Sequence, residues 1–188
     1  MTGLPSEPVF YFLGIYMHPS ISTITRMAIL IALGISLGYA LLEIPNVELI
    51  TATVFMGGYL LGKIRGMAIG FITEALFSLF HPYGPSPFPL FMAQIVSMGF
   101  TGFLGGWMRK KHSFWKPWHF ALAGVFSTAL FAVLTTMSFV WTVHMRWAQI
   151  PQSFLFGLGF YILHLASNGL IFLTLIPIMV KKLSFKNK

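Results

Sequence analysis

Glu74 is an ionisable side chain inside the apolar stretch of residues 64–80, with the nearest lysine or arginine of the sequence a few turns behind it at Arg65. A charged group at that depth in a membrane costs a few kcal/mol or more, unless it faces a cavity or a partner, so Glu74 must point inward. There it either meets a ligand or a proton, or is paired structurally. His164 and Asn168 are four residues apart in another apolar stretch, with Ser167 beside them, and share one helical face. They either hydrogen-bond a substrate or tie their helix to its neighbours. Gln94, just past a proline-rich loop, carries the same two readings. Further polar side chains stand between apolar stretches: Asn46 and Glu48, then His81 and Tyr83, then Trp141, His144 and Arg146 with Trp147 and Gln149. Trp141 and Trp147 also fit an interfacial aromatic belt.

Several chemistries are excluded. Cysteine is absent, which removes disulfides, thiolate metal sites and a cysteine nucleophile. The histidines at 18, 81, 112, 119, 144 and 164 form no HExxH pattern and have no carboxylate at ligand spacing, so no metal site and no cofactor is expected. No GxSxG elbow or phosphate-binding loop is present, and the chain has no P-loop route to ATP hydrolysis.

The elements that must position these groups follow from composition. Hydrophobic residues make up 56% of the 188 residues, charged residues only 9%, and mean hydropathy is +0.80. This is a single-domain integral membrane protein of all-α class, since helices satisfy their own backbone in lipid. The formal charge of +8 reports topology rather than a nucleic-acid partner, because the basic residues sit in short runs between apolar spans. Six spans are expected, at residues 24–42, 47–62, 64–80, 88–108, 115–141 and 154–180. Residues 1–20 lack the pattern of a secretory signal and are expected to be an interfacial or flexible segment. With both termini cytoplasmic, eleven of the twelve lysines and arginines lie inside and only Arg146 outside, which is the positive-inside arrangement.

The connections 43–48, 81–89 and 143–152 then share the outer face. In the second of these, Pro82, Pro85, Pro87 and Pro89 with Gly84 make a shaped loop, read as a lid over a pocket or as an ordinary hairpin. Small residues recur at fourfold spacing. Ala28, Ala32, Ser36 and Ala40 form a ridge on the first span; Gly58, Gly62, Gly66 and Gly70 run through the turn between the second and third; Gly102 and Gly106 follow in the fourth. Flat faces of this kind let helix backbones approach in lipid. The glycines are assigned to internal packing, and the first ridge to a partner helix.

With these residues assembled, the chain resembles the substrate-binding S components of energy-coupling factor (ECF) transporters, which import vitamins and related micronutrients. The likeness spans all six helices. It rests on the Ala28–Ala32 AxxxA spacing, on IPNVELIT at 44–51, and on GYLLGKIRGMAIGFITEALFSLFHPYG at 58–84. The resemblance implies a multi-pass protein of a bacterial or archaeal cell membrane, surrounded by lipid, that binds a micronutrient from outside. Its pocket would be built by the outer halves of helices 4 to 6 and capped by the first, third and fifth loops. By position, substrate contacts would fall on Asn46, Glu48, Glu74, His81, Tyr83, Gln94, Trp141, His144, Arg146, His164 and Asn168. The resemblance further implies that the ridge of Ala28, Ala32 and Ser36 docks on a transmembrane coupling protein driven by two cytoplasmic ATPases. His18 is poorly placed for the metal-importing branch. A B-group vitamin, a cobalamin precursor or another small polar organic molecule all fit.

Two other classes make different demands. A membrane scaffold, similar to rod-shape-determining proteins, needs no enclosed cavity beneath residues 81–89. An intramembrane enzyme working through Glu74 and His164 needs the two side chains within hydrogen-bond reach.

Overall fold

The computed structural model describes residues 20–109 and 115–184, all of whose regular structure is helical. Residues 1–19 with His18, and Lys110, Lys111, His112, Lys186 and Lys188, lie outside the described residues. Six α-helices follow one another: α1 (Ile21–Ala40), α2 (Ile50–Leu61), α3 (Lys63–Leu79), α4 (Phe88–Arg109), α5 (Pro117–Thr142) and α6 (Ile150–Ser184), with a short 3-10 turn at Trp147–Gln149 before the last.

Of these, α1, α4, α5 and α6 are long and apolar enough to cross a membrane. The second expected span contracts from residues 47–62 to the 12 residues of α2. At 1.5 Å per residue α2 is about 18 Å long, short of a hydrocarbon core of about 30 Å. The reason is local. The Glu48 carboxylate accepts a 2.8 Å hydrogen bond from the Thr51 amide, one of the donors that a helix start leaves unpaired, so residues 47–49 stay outside the helix.

Apolar or small on every side, α2 is buried along almost its whole length and forms the axle of the bundle. Glycines set how closely the others approach it. A Cβ on Gly58 or on Gly66 would overlap the Gly102 carbonyl, and one on Gly102 would overlap the Gly66 carbonyl, so α2, α3 and α4 meet backbone to backbone. The α2–α3 turn passes through Gly62 at φ 97°, a conformation L side chains rarely adopt. Gly34 and Gly38 seat α1 against Thr53, Thr73, Ile50 and Phe77. Ala28, Ala32, Ser36 and Ala40 remain exposed on the opposite face of α1.

The two ends of the bundle differ in charge. At one end Phe55, Tyr59, Met108, Phe120 and Phe172 pack together with Met179 and Val180, so α2 and α4 finish, α5 begins and α6 finishes there, beside Lys63, Arg65, Arg109, Lys116, Lys181 and Lys182. At the other end the Tyr39 hydroxyl donates to the Phe80 carbonyl at 3.0 Å, joining the ends of α1 and α3. Glu43, Glu48 and Glu74 belong to this second, acidic end.

Candidate functional site

Glu48 lies on the 41–49 connection after α1 and is fastened by three residues of two helices, α2 and α6. Its Oε2 takes the Thr51 amide of α2, its Oε1 accepts from Asn168 Nδ2 of α6 at 2.7 Å, and His164 Nε2 stands 3.5 Å from the same Oε1. Asn168 is fully buried, and its second amide hydrogen goes to Thr128 Oγ1 of α5 at 2.9 Å. One turn of α6 thus holds the connection, and it does so twice, because the Ser167 hydroxyl also donates to the Asn46 carbonyl at 2.6 Å. Asn46 takes φ 60°, a left-handed value that asparagine tolerates better than most residues. Burial pushes the Glu48 carboxyl up, but His164 and Thr51 outweigh it and hold the group below its ordinary value.

Glu74 of α3 is only 2% exposed. Ser78, four residues on, places its hydroxyl 3.2 Å from Glu74 Oε1 and 3.1 Å from Gln94 Oε1. One hydroxyl hydrogen serves only one of them. Turning the Gln94 amide end for end makes its NH2 the donor to Ser78 and leaves the Ser78 hydrogen for Glu74. No hydrogen bond or ion pair among the described residues engages the other Glu74 oxygen.

These groups open onto one cavity of ≈ 210 Å³ at the acidic end. Asn46, Glu48, Glu74, Gln94 and His164 line it together with the apolar side chains of Ile50, Phe77, Met98 and Phe131. Asn168 stands behind Glu48. The wall nearest the end of the bundle comes from Leu41, Leu42, Ile44, Pro45 and Val47, so the α1–α2 connection supplies the cover expected of the 81–89 loop. Close α3–α4 packing accounts for the difference. A Cβ on Gly70 would overlap the Met98 carbonyl, which keeps the short, proline-braced loop above its own two helices. That loop still bears on the cover. The His81 ring meets Phe77 edge-on at 5.3 Å and neighbours Tyr83, and the Tyr83 hydroxyl donates to Glu43 Oε1 at 3.3 Å while the rest of the side chain is exposed.

Trp141, His144 and Arg146 do not join the group. All three are exposed at the end of α5 and on the connection after it, and none lines the cavity. Sequence reading also passed over residues that build the site. Phe77, Met98 and Phe131 were hidden among many similar apolar residues, whereas Ser78 carried a usable signal in its four-residue spacing from Glu74.

A protein-family model described as ECF transporter, substrate-specific component, matches residues 22–184. The chain belongs to that family. The match takes in all six helices, and with them every side chain lining the cavity. Substrate-specific components are transport subunits rather than enzymes, and they work with a membrane coupling component and ATPases that form a separate module. No curated protein and no solved structure matches the chain. Within this substrate-specific component, His164 faces Glu48, and no hydrogen bond links it to Glu74 among the described residues, so the pairing demanded by an intramembrane enzyme is not made.

Proposed function

We propose that this substrate-specific component is the high-affinity binding subunit of a micronutrient importer in a bacterial or archaeal cell membrane, coupled to ATP hydrolysis by a separate ECF module. One observation carries the reading: a largely apolar bundle opens at its acidic end into a cavity where Glu48, Glu74, Gln94 and His164 converge from four different elements. Such a cavity, mostly apolar with a few convergent polar groups, is the usual form of a small-molecule site. A scaffold has no use for the burial cost of Glu74.

In this proposal the acidic end faces outward, as the clustering of lysines and arginines at the opposite end supports. Asn46, Glu48, Glu74, Gln94 and His164 contact the cargo, and Asn168 positions Glu48. His81 and Tyr83 act indirectly, by bracing Phe77 and Glu43. Trp141, His144 and Arg146 stay outside the contact set. The ridge of Ala28, Ala32 and Ser36 docks on the coupling protein, with two cytoplasmic ATPases beneath it; its exposure on a lipid-facing helix supports that role.

The test is affinity purification of the tagged full chain from its native membranes in mild detergent, followed by mass spectrometry of proteins and small molecules. A multi-spanning membrane partner, ATPases and a retained micronutrient are expected. Absence of both coupling proteins and any bound small molecule would sink the proposal.

A further inference from the structure

The charges around the cavity are one-sided. Three of the four acidic residues of the chain, Glu43, Glu48 and Glu74, belong to this end, and two of them line the cavity, while no lysine or arginine lines it among the described residues; Arg146 also belongs to this end but is exposed, outside the cavity. Within that pair the roles differ. Glu48 already receives Asn168 and Thr51 and has His164 beside it. Glu74 is 2% exposed, receives one hydroxyl from Ser78 and keeps its second oxygen without a protein donor. A buried carboxyl left in that condition takes either a proton or a counter-charge from outside the chain, and a bound cation supplies the second.

We infer that the cargo of this cavity is a small organic cation, its positive or proton-bearing group set against the free oxygen of Glu74 and its apolar body held among Phe77, Met98 and Phe131. The inference rests on the reading of the chain as a binding subunit and specifies what it binds. Two aromatic rings in the wall suit a cation, because the faces of such rings attract positive charge and their bulk matches an apolar body. Gln94 and the cavity-facing edge of His164 give the remainder of the ligand polar partners. An inorganic cation fits poorly: among the described residues no group of three or more histidine, cysteine, aspartate or glutamate side chains is placed to hold a metal. The cavity of ≈ 210 Å³ limits the ligand to a compact molecule, of the order of one or two small rings.

The test uses the full chain and its Glu74→Gln variant, purified in detergent from cells grown in rich medium and both checked for a single melting transition. Glutamine keeps the shape and a Ser78 acceptor while removing the charge. Each protein is denatured, and what it releases is identified by mass spectrometry and elemental analysis. The expected result is one organic molecule per chain that is cationic at neutral pH, reduced at least tenfold in Glu74→Gln. A retained neutral or anionic molecule, or a metal ion, overturns the organic cation and leaves the binding-subunit reading standing. So does a retained cation whose occupancy is the same in Glu74→Gln. If nothing is retained, melting temperatures are compared with three ring analogues: the ring-methylated pyridinium of nicotinamide, neutral nicotinamide and anionic nicotinate. Stabilisation by the pyridinium alone, lost in Glu74→Gln, supports the inference. Equal or greater stabilisation by either of the others overturns it. No retained molecule and no stabilisation by any of the three overturns the inference, while the reading beneath it stands or falls on the co-purification of the coupling proteins.

Discussion

Asn168 Nδ2, fully buried in α6, donates to Glu48 Oε1 at 2.7 Å and so ties the α1–α2 connection to a helix 120 positions further along the chain. The bond is charge-assisted and partly buried. Asn168→Ala removes it together with the Thr128 bond, and is expected to destabilise the ligand-free protein by about 2 kcal/mol or more. Asn168→Asp should be worse, since it sets a second carboxylate against Glu48. Thermal unfolding in detergent checks both, and a melting temperature for Asn168→Ala equal to that of the wild type would mean that the connection is held by other contacts.

Glu48 also makes stability depend on pH. Its native carboxyl sits below the ordinary value of 4.5, so the stability it contributes is complete above that value and is lost as pH falls through the lower native one. Glu48→Gln has no such dependence. The gap in melting temperature between wild type and Glu48→Gln, measured without ligand, should therefore close as pH falls through the lowered carboxyl value. A gap that widens in acid contradicts this assignment.

Glu74 faces the cavity, and its loss should register in binding. Glu74→Ala is expected to weaken cargo affinity by about 1 kcal/mol or more, roughly fivefold or greater. Equilibrium binding to the purified variant measures it. Unchanged affinity would remove Glu74 from the site.

Backbone contact at Gly58 sets a packing limit that can be probed against a neutral position on α6. Gly58→Ala drives a methyl into the Gly102 carbonyl and should prevent a monodisperse, cooperatively melting protein. Gly159→Ala meets nothing within 4 Å and should be neutral or stabilising by about 0.5–1 kcal/mol through helix propensity. Size-exclusion profiles and melting curves of the pair decide it.

Ala32 lies on the exposed ridge of α1, away from the cavity. Ala32→Leu should leave cargo binding intact while lowering uptake by the assembled transporter. Loss of binding in the isolated variant would mean that the ridge packs within the bundle.

Much of this was legible in one dimension. The apolar composition demanded a membrane protein, six apolar stretches became six helices, and the small-residue spacing marked Gly58, Gly66 and Gly102 as places of close approach. The cost of polarity in lipid was enough to send Glu74, Gln94, His164 and Asn168 inward, because that cost depends only on residue type and depth. The length of α2 was not legible, since hydropathy counts residues 47–49 as apolar context around Glu48 and does not see its bond to the Thr51 amide.

The sequence alone determined the class of the protein and which side chains could not face lipid, both of which follow from local composition and spacing, while its family follows from the match to a family model over residues 22–184. Only the tertiary structure decided that Glu48 pairs with Asn168 and His164 while Glu74 keeps a free oxygen, and that residues 41–48 rather than the proline loop close the cavity. Those outcomes depend on how closely glycine-faced helices approach and on which ends they bring together, and periodicity along a single helix holds no information about its neighbours.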